Sequence, residues 1–244
     1  QEVGMGKIFY ERYDLVKNYF KEADESLSFP ISKLILEGPK SDLDLTSNTQ
    51  PAIFLISYSI FNVIKKEFNI NLNKANFFSG HSLGEYTALS CAGYIKFSDT
   101  LKILKLRGEA MQNSVPEGIG GMIAILATNI KKVEDIISSN KNCNVQIAND
   151  NSEGQIVVSG KLKDLDTLTE ILKSQGIRNI KLPVSAPFHC ELMSAATKIM
   201  RDEINKIEFN KGHNVLMSNV TADSIKDIPD IKNLLIKQIE SRVR

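Results

Sequence analysis

The sequence predicts an α/β fold, with a large lobe built on a parallel sheet and a small ferredoxin-like lobe inserted into it. Three observations predict it. With 244 residues, 42% of them hydrophobic, the chain is long enough to bury more than one core. Over residues 1–118 short apolar runs alternate with long helical patterns, as in a doubly wound sheet. Over 119–187 the order changes to strand-helix-strand-strand-helix-strand, the ferredoxin-like pattern.

The elements follow in order. Residues 5–23 read as one helix of low contrast, and Pro30 to Glu37 as a short helix closed by the turn Gly38-Pro39-Lys40. Pro51 to Asn69 is strongly helical, because Ile53, Phe54, Ile56, Ile60, Val63 and Ile64 recur at helical spacing. Ala75 to Phe78 is a short buried strand that runs into a turn at Gly80. Leu83 to Cys91 is helical and stops near Gly93; Asp99 to Ser114 is helical with Ser98 as its N-cap. In the middle, Met122 to Ala127 is a strand and Ile130 to Ser139 a helix. Asn144 to Ala148 and Gln155 to Ser159 are strands joined by a turn-rich hexapeptide. Leu162 to Gln175 is a helix ended by Gly176, and Asn179 to Val184 the last strand. The large lobe is thus 1–118 with 188–244, and the small lobe 119–187.

Composition excludes several classes. With 24% charged residues and a net charge of +1, the chain is neither disordered nor a general nucleic-acid binder. No apolar run reaches the ~18 residues of a membrane span. Cys91, Cys143 and Cys190 are odd in number, form no C-x-x-C pair and show no zinc spacing, which favours a reducing compartment and predicts no metal site. The chain opens on Gln1, without Met, and ends mid-pattern at Arg244, with no targeting segment in view. The expectation is a segment of a longer protein.

Gly80-His81-Ser82-Leu83-Gly84 fits G-x-S-x-G between a strand and a helix, the nucleophile elbow of hydrolase-like α/β folds. A serine on that sharp turn is expected to need glycine two residues to either side, and stands at a helix N-terminus where amides can stabilise an oxyanion. The bland alternative is an ordinary glycine-rich turn. A serine nucleophile needs a base. His81 adjoins Ser82 and should point elsewhere; His213 sits in a polar turn and reads as solvated. His189 follows a segment stiffened by Pro183 and Pro187, and is the candidate base. On the helix after Asp99, Arg107 falls inside the apolar arc of Leu101, Ile103, Leu104, Leu106, Ala110, Met111 and Val115. An inward arginine needs an anion: either a structural partner on a buried Asp or Glu, or a substrate carboxylate gripped by its guanidinium fork.

These residues resemble the malonyl-CoA:acyl carrier protein transacylases of fatty-acid synthesis. The resemblance spans almost the whole chain. It rests on Thr49-Gln50-Pro51-Ala52, Gly80 to Tyr86, Leu106-Arg107-Gly108, Met111-Gln112, Val115 to Gly118, Asn149 and Asn151 before Gly154-Gln155, Pro183-Val184-Ser185, and His189-Cys190. It implies that Ser82 is the nucleophile, His189 the general base and then acid, Arg107 the carboxylate-binding residue, and the Leu83 N–H one oxyanion donor. It implies a pocket that includes Gln50, Met111, Asn149 and Phe188, the bulky Phe188 favouring malonyl over methylmalonyl. It implies a backbone carbonyl, placed here at Arg244, that orients the histidine.

In the family the second oxyanion donor belongs to a Gly-Gln-Gly-Ser-Gln motif whose last residue matches Gln1. The first strand and a closing stretch are therefore expected to lie outside this sequence. Malonyl-CoA is implied as substrate with no permanently bound cofactor, and an acidic, phosphopantetheinylated acyl carrier protein as partner. The protein is expected to be a monomer in cytoplasm or a plastid-type organelle, without nucleic-acid or membrane partners. Lys131, Lys132, Lys161, Lys163, Arg178 and Lys181 are candidate docking charges; each could equally be solvated surface.

Two further readings stay open. A serine esterase or thioesterase would share Ser82 and His189 but draw its acid from Asp150, Asp164 or Asp166, and would leave Arg107 without a role. A non-catalytic module that docks carrier proteins would need none of the three.

Overall fold

The structure is a computed structural model that describes residues 1–184, 186–212 and 214–244. Ser185, in the stretch before the candidate base, and His213, expected to be a solvated loop residue, lie outside the described residues. In chain order the elements are α1 (Lys7–Arg12), α2 (Asp14–Leu27), α3 (Ile31–Glu37), α4 (Lys40–Leu43), α5 (Thr46–Lys66), β1 (Phe77–Phe78), α6 (Leu83–Cys91) and α7 (Phe97–Gln112). They continue with β2 (Gly120–Leu126), α8 (Ile130–Ser139), β3 (Val145–Ser152), β4 (Gln155–Lys161), α9 (Leu162–Ser174) and β5 (Asn179–Lys181). The last are α10 (Ser194–Lys206), β6 (Val215–Met217), β7 (Ser224–Ile225) and α11 (Ile228–Gln238).

The fold is α/β and divides into two compact units. One comprises Gln1–Glu109, Asp202–Ser218 and Asp223–Lys232; the other comprises Ala110–Arg201, Asn219–Ala222 and Asn233–Arg244.

In the first unit, helices dominate. Val16 and Phe20 of α2, Ile31 and Ile35 of α3, Phe54 and Leu55 of α5, Leu89 of α6 and Leu104 of α7 are buried together with Tyr86. The single helix expected over 5–23 is two, because Tyr13 is extended at φ −123° and ψ 118°. Helix α5 begins at Thr46, ahead of Pro51. Proline is the usual mark of a helix start, but here the amides of Asn48 and Thr49 already bond to the Leu45 carbonyl. The sheet runs β1-β6-β7. The expected parallel sheet is mixed: β1 and β6 are parallel, with Phe77 opposite Val215, but β7 returns antiparallel through the short turn after β6. The six residues 218–223 between them can only reverse the strand, whereas a parallel return needs a crossover of a dozen residues or more.

In the second unit, the chain order β2-α8-β3-β4-α9-β5 is the expected one, and the sheet order is β3-β4-β2-β5 with every pair antiparallel. One face carries Ile123, Ile125, Val145, Ile156 and Val158 against Val133 and Ile136 of α8 and Leu165, Leu168 and Leu172 of α9. The other face carries Met122, Ala124, Ala148 and Val157, with Leu182, Val184 and Phe188 packed on it. The alternation along each strand sorts residues to the two faces. Among the described residues, no helix is long and apolar enough to cross a membrane, and no group of three or more His, Cys, Asp or Glu is placed to hold a metal ion.

Candidate active site

Ser82 sits between β1 and α6 with φ 54° and ψ −109°, a backbone state that L-residues rarely adopt. The turn is closed by Gly84 N–H donating to the His81 carbonyl at 2.8 Å and Glu85 N–H to the Ser82 carbonyl at 3.1 Å. The two elbow glycines are not equivalent, contrary to the expectation for both. A Cβ on Gly80 would lie 2.0 Å from the Gly84 carbonyl oxygen, whereas one on Gly84 meets nothing within 4 Å. Leu83 opens α6, so its amide is among those a helix leaves without an internal acceptor, at the positive end of the dipole. His81 is exposed.

Arg107 of α7 is 1% exposed. Its Nη1 donates to Gln50 Oε1 at 2.7 Å and its Nη2 donates to Ser82 Oγ at 3.1 Å. The guanidinium carbon stands 5.5 Å from the centre of the Tyr86 ring, within cation–π range. Burial presses the Arg107 pKa down, while the neighbouring Tyr86 and Glu85 pull it back up; an arginine stays cationic regardless. Burial likewise pushes the Tyr86 phenol up to about 12 against the opposing pull of Arg107. The structure therefore gathers Ser82, Arg107, Gln50 and Tyr86 in the first unit. Tyr86 was part of the elbow stretch in the sequence but carried no expected role.

His189 is 4% exposed and also left-handed, at φ 57°. Its Nδ1 lies 2.8 Å from the carbonyl oxygen of Gln238. The expected orienting carbonyl at Arg244 is thus corrected to Gln238. The physical reason is helical: Gln238 is the last residue of α11, and the final carbonyls of a helix have no internal donor. Arg244 is engaged elsewhere, its amide donating to the Asn219 carbonyl at 2.8 Å. No side-chain pattern could have marked Gln238, because the contact uses only its backbone.

Asn149 is buried on β3 beside a parallel bridge to Val243, Met111 is buried near the end of α7, and Phe188 packs on the Met122–Val157 face. A groove of ≈ 390 Å³, lined in part by Gln146, Ile147, Glu240 and Arg242, opens beside His189. Cys190 donates its Sγ hydrogen to the Pro187 carbonyl, and burial pushes the thiol up to about 11.

Comparison with known proteins adds the following. The model of the family described as acyl transferase domain matches residues 1–230. The malonyl CoA-acyl carrier protein transacylase of Bacillus subtilis (strain 168) is 41% identical over 248 aligned residues, covering 100% of this chain and 77% of that protein. The crystal structure of an acyl-carrier-protein-S-malonyltransferase from Bartonella henselae superposes with a TM-score of 0.96 at 39% identity, covering 100% of this chain and 78% of that one. A malonyl-transacylase solved in complex with a type II PKS acyl-carrier protein matches with a TM-score of 0.94 at 32% identity, over 100% and 79% of the two chains.

Proposed function

The chain belongs to the acyl transferase domain family, and from that premise we propose that it carries a malonyl group from coenzyme A to the phosphopantetheine thiol of an acyl carrier protein, through an ester on Ser82. The observation that carries the reading is the buried Arg107 cation 3.1 Å from Ser82 Oγ. A fixed guanidinium beside a nucleophile is a receptor for an acyl group that ends in its own carboxylate.

The roles follow from the local chemistry. A carbonyl only accepts, so the Gln238 contact keeps the proton on His189 Nδ1 and leaves Nε2 as the basic nitrogen. In the first half-reaction, His189 Nε2 takes the Ser82 hydroxyl proton as Oγ attacks the malonyl thioester carbonyl. The Leu83 amide bonds the developing oxyanion. The tetrahedral adduct then collapses, the C–S bond breaks, and the coenzyme A sulfur leaves with the proton from His189. In the second, His189 takes the pantetheine thiol proton, the sulfur attacks the Ser82 ester carbonyl, the C–Oγ bond breaks, and the proton returns from His189 to Oγ. Gln50 holds Arg107 in place; Asn149, Met111 and Phe188 are proposed to contact the substrate, with Phe188 favouring the unbranched acyl group. Only side chains and backbone groups act, with malonyl-CoA as substrate and no resident cofactor.

The same reading takes 1–118 with 188–244 as the hydrolase-like catalytic lobe and 119–187 as the inserted lobe. It takes the protein to act as a monomer in a reducing cytoplasm or plastid-type organelle. Lys131, Lys132, Lys161, Lys163, Arg178 and Lys181, all exposed, are the charges proposed to meet an acidic carrier protein. A serine esterase is disfavoured because the Gln238 carbonyl occupies the place at Nδ1 that a triad carboxylate would take. The test is product partitioning. With malonyl-CoA and a phosphopantetheinylated carrier protein, malonyl-carrier forms and free malonate does not accumulate. Free malonate as the main product identifies a hydrolase, and no turnover identifies a docking module.

A further inference from the structure

The loop that bears His189 is pinned to the β-sheet of its unit at two points, one on each side of the histidine. Ser159 of β4 is fully buried, and its Oγ donates to the Phe188 carbonyl at 2.6 Å. Gln146 of β3 accepts at its Oε1 from the Glu191 amide at 2.7 Å. Ser159 and Gln146 are themselves cross-strand partners in the β3–β4 ladder, so one rung of the sheet holds both ends of the loop. They lie on the face where Phe188 packs; the adjacent Val158 and Val145 point to the helix-covered face. Between the two pins, His189 adopts its φ of 57°, which costs a non-glycine residue free energy and persists only where the surroundings enforce it.

We propose that Ser159 and Gln146 are positioning residues for His189: the rung they form fixes the left-handed turn that aims Nδ1 at the Gln238 carbonyl and so sets the orientation and proton affinity of Nε2. The inference rests on His189 as the base, and its closing experiment separates the two. A buried polar pin is costly when half removed, because the Phe188 carbonyl loses its donor. The loop then relaxes toward ordinary backbone geometry and the ring leaves its acceptor.

The experiment compares Ser159→Ala, Ser159→Thr, Gln146→Ala and His189→Ala in the full chain. It reads the rate of Ser82 acylation by malonyl-CoA across pH, its KM, and the titration of the His189 imidazole by NMR. In Ser159→Ala the acylation rate is expected to fall roughly 10- to 100-fold, the penalty of a misaimed catalytic group, with KM within about twofold and a displaced His189 titration. Ser159→Thr, which keeps the hydroxyl, restores both. Gln146→Ala, a half-buried site, shows the same pattern more weakly and decides the matter should Ser159→Ala fail to fold. A His189 titration and pH profile unchanged in both alanine variants overturns the proposal, as does equal loss in Ser159→Ala and Ser159→Thr. Wild-type acylation in His189→Ala overturns the base assignment instead, while the NMR titration in the Ser159 and Gln146 variants, which keep His189, still reports whether the rung holds the ring.

Discussion

Arg107 is a residue costly for the fold, for which the proposed chemistry supplies a use. A guanidinium taken almost wholly out of water must be compensated, and Gln50, Ser82, the Tyr86 ring and the nearby Glu85 are among the groups that do so. Arg107→Ala is expected to lower Ser82 acylation by malonyl-CoA roughly 10- to 100-fold, the worth of a charge-assisted hydrogen bond of about 1.5–3 kcal/mol, and to leave acetyl-CoA acylation no worse. Unchanged malonyl preference would remove the carboxylate role. The elbow makes a second expectation at this scale. Gly80→Ala forces a Cβ into the Gly84 carbonyl and should abolish the active turn, whereas Gly84→Ala points into open space and should be tolerated. Comparing acylation and thermal unfolding of the two variants checks it. Ser82, Arg107 and His189 were visible in the sequence as residues, through the elbow pattern, the helical wheel and the prolines before the histidine. The Gln238 carbonyl was not, because a backbone acceptor leaves no trace in residue type.

At the scale of elements, the close crossing of α7 and α5 is what delivers Arg107 to Ser82. Gly108 makes it possible: a Cβ there would lie 2.4 Å from the Thr46 carbonyl oxygen and 2.5 Å from Ser47 Cα, both backbone atoms that cannot swing away. Gly108→Ala is therefore expected to destabilise the protein by about 1–3 kcal/mol, the usual cost of overpacking, and to slow acylation by moving its neighbour Arg107. Denaturant unfolding beside the acylation rate measures both. Helix α8 was readable with its boundaries because a strong apolar stripe, Val133 and Ile136, follows an Asn129 cap whose side chain accepts from the Lys132 amide. The break at Tyr13 was not readable, since no Gly or Pro marks it. No element past Cys190 is predicted from the sequence, although Ala196, Met200 and Ile204 of α10 and Ile231 and Leu235 of α11 bury at helical spacing. Those stripes are narrow and set among charged residues, and β6 is a three-residue strand whose pairing is decided by β1 far away in the chain.

For the molecule as a whole, buried ionisable groups limit stability at high pH. Burial pushes the Cys91 thiol and the Tyr86 phenol each up to about 12. Between their ordinary values and about 12, the native state keeps protons that the unfolded chain releases, so stability falls as pH rises through that window. Urea midpoints should decline between about pH 8 and pH 11, over the range where free thiols and phenols ionise, and Cys91→Ala should flatten the decline. A midpoint that rises over that range would contradict the upward shift of both groups. The central claim is a covalent one, that the malonyl group passes through Ser82. Mass spectrometry of the protein after exposure to malonyl-CoA tests it most directly. One malonyl ester on the peptide carrying Ser82, lost in Ser82→Ala, slow to form in His189→Ala and discharged by addition of the carrier protein, is the expected result. An adduct on any other residue, or a Ser82 adduct that carrier protein does not discharge, would contradict it.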